Sequence, residues 1–129
     1  MNLVLDTGGY SEFVRGQKRL LKWINSNNTI FVPQIVIGEL RAGFAVGTKK
    51  AENESLLQRF LDSPNVNTIS LTDKTTEIYS EIYLDLRKRG KPTGTNDMWI
   101  AACAIEHGYT LLTLDKAFKN ITSLKLNDL

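Results

Sequence analysis

At 129 residues, with 42% apolar and 23% charged side chains, the chain has the size and make-up of one soluble globular domain. Its single cysteine, Cys103, excludes an internal disulfide framework, and no Cys/His cluster exists to build a zinc site. No apolar run approaches a membrane span, the start lacks a signal-peptide layout, and a net charge of +2 does not by itself announce nucleic-acid binding. A cytoplasmic location is expected.

Leu3–Asp6 reads as a first strand, three apolar residues that stop on an acid followed by Thr7 and two glycines. A helical stretch follows through "SEFVRGQKRLLKWINS", interrupted near Gly16. "NTIFV" is a second strand closed by Pro33, which suits the first turn of the next helix, "QIVIGELRAGFAVG". "AENESLLQRFLDS" is another helix, ended by Pro64. "VNTISL" is a third strand, and Thr72 is placed to cap the long helix "DKTTEIYSEIYLDLRKR", striped by Ile78, Ile82 and Leu86 and stopped by Gly90. A loop with Pro92 and Gly94 leads to "NDMWIAACAIEHG", stopped by Gly108. "YTLLTL" is a fourth strand and "SLKL" a fifth. Short apolar strands alternating with helices predict an α/β fold around a mainly parallel sheet of four or five strands, in a single domain over 1–129. In such sheets, sites form beyond the carboxyl ends of the strands.

That rule sorts the fourteen acids. Most fall on polar helix faces or at turns. Glu39 instead has Ile35, Val36, Ala42 and Gly43 as its helical neighbours, a small apolar face expected to be buried; it is either half of an internal ion pair, with Arg41 as one partner, or a ligand. Asp97 opens a helix, Asp115 follows a strand, and Asp6 ends one; singly, each reads equally well as a cap or turn residue. Parallel strands with right-handed crossovers carry all four toward one sheet edge. Four carboxylates in one crevice repel by roughly 1 to 4 kcal/mol per pair at 4 Å, so they bind either protons or a metal. Oxygen-only donors select Mg²⁺ or Mn²⁺.

"LVLDT", "PQIVIGELRAG", "GTNDMWIAACAIEHG" and "TLLTLDKAF", in that order and spacing, resemble the PIN domain, most closely the VapC-type toxin ribonucleases. The resemblance spans nearly the whole chain. It implies a three-layer sandwich with the family's four acids at Asp6, Glu39, Asp97 and Asp115, and an endoribonuclease that hydrolyses RNA to a 5′-phosphate and a 3′-hydroxyl. Asp6 and Asp97 are expected as direct ligands of Mg²⁺ or Mn²⁺. Asp115 would complete the shell, and Glu39 would hold a second ion or orient the attacking water. Implied partners are RNA (tRNA among the candidates), an antitoxin and a second copy of the chain. One departure stands out: the position after "DT", often Asn or Ser in the family, is Gly8, which removes a hydrogen bond around the metal ligands. Thr7, Thr95, Asn96 and Thr113 are expected to compensate.

With the four site acids set aside, 16 basic residues face ten acids, an excess of +6. Arg15 and Lys18 after Asp6, and Arg87, Lys88, Arg89 and Lys91 before Asp97, are candidates for holding RNA phosphates; the second group equally suits a helix C-terminus. Trp99, Tyr10 and Phe118 are placed to stack on bases or to join the core, and helical spacing favours the core. His107 and Cys103 lack a third group to orient them as a catalytic pair. Rival readings are a PIN nuclease of RNA processing without antitoxin, and a silent PIN scaffold that binds RNA or protein. A receiver domain would need a second acid near the first strand and a lysine on the last, neither of which is evident.

Overall fold

Leu3, Val4 and Leu5 have no exposed surface in the computed structural model, which describes every residue except Ser26 and Leu129. Successive strand side chains point to opposite faces, so this burial means that both faces of the strand are covered. The strand, β1 (Asn2–Leu5), pairs in parallel with β2 (Thr29–Pro33) on one side and β4 (Thr110–Thr113) on the other. With β3 (Val66–Ile69) and β5 (Lys125–Asp128) outside, five parallel strands run in the order β3-β2-β1-β4-β5. The connections supply α1 (Thr7–Val14), α2 (Lys18–Ile24), α3 (Gln34–Val46), α4 (Lys50–Leu61), α5 (Asp73–Lys88) and α6 (Thr95–His107). This is the expected α/β sandwich.

The chain works outward from β1 to β3, then crosses back to lay β4 on the other side of β1. That reversal opens a crevice at the carboxyl ends of β1 and β4, where a parallel sheet receives ligands.

Local chemistry explains the element ends. Gly16 (φ +84°) breaks α1 from α2, Gly90 (φ +63°) follows α5, and Gly108 (φ +69°) ends α6 in the left-handed conformation that side chains disfavour. Thr72 and Thr75 form a reciprocal capping box at the start of α5, and Glu106 of α6 accepts from both hydroxyls, pinning the two helices together. Ile78, Ile82 and Leu86 bury the α5 stripe, while Ile100 to Ala104 of α6 lie in the core.

Several boundaries differ from expectation by a few residues, and those of β1, α1 and β5 have a clear physical cause. β1 ends at Leu5, because the Asp6 carboxylate leaves the strand to cap α1, accepting from the Gly9 amide at 2.7 Å. Consequently Thr7, Gly8 and Gly9, which read as a turn, form the first turn of a helix. β5 starts at Lys125 rather than Ser123, since a turn closed by Leu124 N–H to Ile121 O holds Leu124 in the core before pairing begins.

Candidate active site

The register of β1 and β4 sets Leu5 beside Leu112, so the next residues of both strands meet. Thr113, fully buried, donates to Asp6 Oδ2 at 2.6 Å and accepts from the Asp115 amide at 3.0 Å. Asp115 Oδ1 in turn accepts from the Ala117 amide at 2.9 Å, capping a 3₁₀ turn over Lys116–Asn120. Across the crevice, Glu39 accepts from Thr7 Oγ1 at 2.5 Å and from Asn96 Nδ2 at 3.2 Å, linking α1, α3 and α6. Asp97 stands in the first turn of α6.

Asp6, Glu39, Asp97 and Asp115, with Thr7, Gly8 and Leu114, line one cavity of about 310 Å³. Among the described residues, no lysine or arginine lines it. Burial first, then the charges of Asp115, Glu39 and Asp6, push the Asp97 carboxyl up to about 6. Asp6 is also raised; burial outweighs the Thr113 and Gly9 hydrogen bonds that pull it down, and Asp115 adds to the rise. Among the described residues, chain donors hold Asp6, Glu39 and Asp115, whereas none reaches Asp97.

Glu39 departs from its expected setting. The buried side of α3 is Val36, Ile37 and Leu40, while Ala42 and Gly43 face solvent, so Glu39 sits half-buried at the margin of that face. It is not paired with Arg41, which meets Glu54 at 3.3 Å. Thr7, Asn96 and Thr113 touch the acids as expected. Thr95 is exposed, and no hydrogen bond joins it to them among the described residues. Leu114, a wall of the cavity, had no sequence signal beyond its place before Asp115.

The basic candidates divide. Arg15 pairs with Glu12 at 2.5 Å, and Lys18 is exposed at the start of α2. Arg89 pairs with Asp85 at 2.7 Å and with the Asn120 carbonyl. Arg87, Lys88 and Lys91 stay exposed. Tyr10 and Phe118 are core residues, and Trp99 stacks on Tyr79 with centroids 3.9 Å apart. Burial, with Glu106 nearby, pushes the Cys103 thiol up to about 11, so it is no nucleophile.

The donor set suits a hard divalent ion: four carboxylates and, among the described residues, no nitrogen or sulfur and no cation of the chain to neutralise them. Among the described residues no three of these side chains close on a common point. Mutual repulsion and the hydrogen bonds to Thr113, Thr7, Asn96 and Ala117 account for that separation.

A parallel α/β domain with four carboxylates in a cavity at the carboxyl edge of its central strands offers an oxygen-only donor set for a hard divalent ion. The PIN domain family matches residues 3–124. Ribonuclease VapC2 of Rickettsia felis is 37% identical over 109 residues, 84% of this chain and 80% of the relative. Toxin FitB of Neisseria gonorrhoeae is 31% identical over 88% of this chain and 87% of its own length. The crystal structure of VapBC2 from Rickettsia felis, bound to a DNA fragment from their promoter, superimposes with TM-score 0.88 at 32% identity, covering 99% and 98% of the two chains. The chain belongs to the PIN domain family, in its VapC branch.

Proposed function

We propose that this chain is a divalent-metal-dependent endoribonuclease and the toxin of a toxin–antitoxin pair, acting in the cytoplasm as a single PIN domain. The observation that carries the reading is the convergence of Asp6, Glu39, Asp97 and Asp115 on one cavity that no lysine or arginine lines among the described residues. The relatives' names supply the reaction, and the neighbouring structures of VapBC supply the partner.

Asp6, Asp97 and Asp115 would hold Mg²⁺ or Mn²⁺. Bound there, the ion supplies an activated water and neutralises charge on the phosphate. Thr113 fixes the Asp6 carboxylate and the Asp115 backbone relative to each other, so two ligands from two strands keep one spacing. Thr7 and Asn96 turn Glu39 toward the cavity, where it orients the attacking water. The 3′-oxygen leaves phosphorus as the water oxygen bonds to it, giving a 5′-phosphate and a 3′-hydroxyl. No side chain acts as a covalent nucleophile.

Exposed Arg87, Lys88, Lys91 and Lys18, with Arg15 beside Glu12, would supply the positive charge a polyanion needs. For the antitoxin, the exposed Val14 and Leu56 border an apolar groove between α1, α3 and α4 that suits an amphipathic helix. A homodimer has exposed Leu84 and Val46 available to it.

The test is incubation of the purified protein with total cellular RNA, with and without Mn²⁺, beside Asp6→Asn. Cleavage is expected only with metal and only in the unmodified protein. Equal cutting by Asp6→Asn would reject the site.

A further inference from the structure

We propose that the cavity between the end of α5 and the start of α6 is a nucleobase subsite for the RNA strand cut at the acids. The proposal rests on the nuclease reading and adds to it where a neighbouring nucleotide lies.

This second cavity, about 320 Å³, is distinct from the acidic one. Leu86 and Met98, both buried, give it an apolar lining. Tyr83 forms a wall, 46% exposed, at the end of a row of rings in which Trp99 and Tyr79 stack at 3.9 Å and Tyr79 leads to Tyr83 at 6.3 Å. Arg87 and Lys91 stand at the rim, both exposed and without a salt bridge among the described residues, in contrast to Arg89. The Thr93 hydroxyl, buried in the wall, has no hydrogen-bond partner among the described residues. A buried hydroxyl left unbonded is costly, so an occupant with a polar edge recovers what the empty cavity loses.

An aromatic wall, an apolar lining, one unmet polar group and two free cations fit one chemistry. The occupant is planar, apolar on its faces, polar at its edge and joined to a phosphate. An aliphatic side chain of a partner protein would use the apolar lining and leave the cations and hydroxyl unmet. Position agrees. Met98 lines this cavity and its neighbour Asp97 lines the acidic one, so two adjacent residues at the start of α6 serve the two cavities. A strand crossing the acids continues onto Tyr83.

The test uses short single-stranded oligoribonucleotides spanning a mapped cleavage site, with an abasic ribose placed at each position in turn. Cleavage is measured with Mn²⁺, and binding by anisotropy in EDTA, for the unmodified protein and Tyr83→Ala. One abasic position should raise KM about 5- to 20-fold in the unmodified protein, as expected for loss of a stacked base, and change nothing further in Tyr83→Ala. Arg87→Ala and Lys91→Ala should weaken every oligonucleotide alike and flatten the salt dependence. Abasic costs that are the same in both proteins overturn the subsite while leaving the nuclease intact. So does a Tyr83→Ala protein changed only in sedimentation, which would give the face to a second copy. Folded protein that neither cuts nor binds RNA refutes the nuclease reading, and the subsite with it.

Discussion

Thr113 donates to Asp6 and accepts from the Asp115 amide, so one buried hydroxyl ties together two acids 109 residues apart in sequence. Valine has nearly the same shape but neither bond. Thr113→Val leaves a buried carboxylate oxygen and a backbone N–H unmet, an expected loss of about 1–3 kcal/mol of stability. Because the change also frees the Asp6 carboxylate, a proposed metal ligand, Mn²⁺ affinity should fall about 10- to 100-fold. Thr113→Ser should retain both properties. Thermal unfolding and Mn²⁺ titration check this, and a valine variant with unchanged metal affinity would show that the hydroxyl is only structural. Asp6→Asn should behave differently. Its amide keeps an acceptor for the Gly9 N–H but loses the one that Thr113 donates to, while burial no longer penalises a charge. The effects oppose, so metal-free stability should change by no more than about 1–2 kcal/mol. Its RNA cleavage should nevertheless fall by at least about 100-fold, and measuring both on one preparation separates a lost ligand from a lost fold.

At the scale of elements, the first turn of α1 carries two adjacent glycines with opposite constraints. A side chain at Gly8 would meet nothing within 4 Å, whereas a β-carbon at Gly9 would lie 2.8 Å from Asp6 Oδ1 and from Leu5 Cδ1. Gly8→Ala should therefore stabilise the helix by about 0.5–1 kcal/mol and keep activity. Gly9→Ala should cost about 1–3 kcal/mol and displace the Asp6 carboxylate, with a clear drop in cleavage. Gly8→Ser adds a hydroxyl beside the acids and should tighten Mn²⁺ binding by up to about 10-fold, the direction implied by the polar residue common in the family. Paired unfolding and cleavage assays decide all three; a Gly9→Ala protein as active as Gly8→Ala would refute the contact. Much of this scale was legible in the chain. Apolar runs marked β1, β2 and β4, and three glycines marked breaks. Asp6 and Asp115 followed strands and Glu39 sat in the helix after one, so parallel topology brought these three together. Asp97 instead opens a helix that follows another helix and reaches them through the turn from α5 to α6. The start of α1 was hidden because "TGG" has turn propensity, which the Asp6 cap overrides. Glu39 was misplaced because Ala42 and Gly43 are small enough to face solvent without cost. The double role of Thr113 depends on strand register, and the cavity at Tyr83 on how a loop closes over two helices; neither is a property of any local stretch.

Across the whole molecule, the acidic cavity links folding to pH and metal. Asp97, pushed up to about 6, and Asp6, raised above 3.8, keep protons in the folded chain that the unfolded chain has already released. The folded state then binds more protons than the unfolded one, so metal-free stability falls as pH rises from about 4 to about 7. Two other carboxyls move the opposite way. Arg89 holds Asp85 below 3.8, and hydrogen bonds from Thr75 and Thr72 hold Glu106 below 4.5 in spite of its burial. The stability they contribute is lost only at lower pH, as each is protonated, outside the window where Asp97 titrates. The melting temperature in EDTA should therefore decline from about pH 5 to pH 7.5. Mn²⁺ or Mg²⁺ should raise it more at the higher pH, where no proton competes with the ion for the Asp97 carboxylate. Asp97→Asn should flatten the metal-free decline and shrink the metal response together. A melting temperature that climbs across this range in EDTA, or a metal shift equal at both ends of it, would mean that the four charges do not act on one another as a single site.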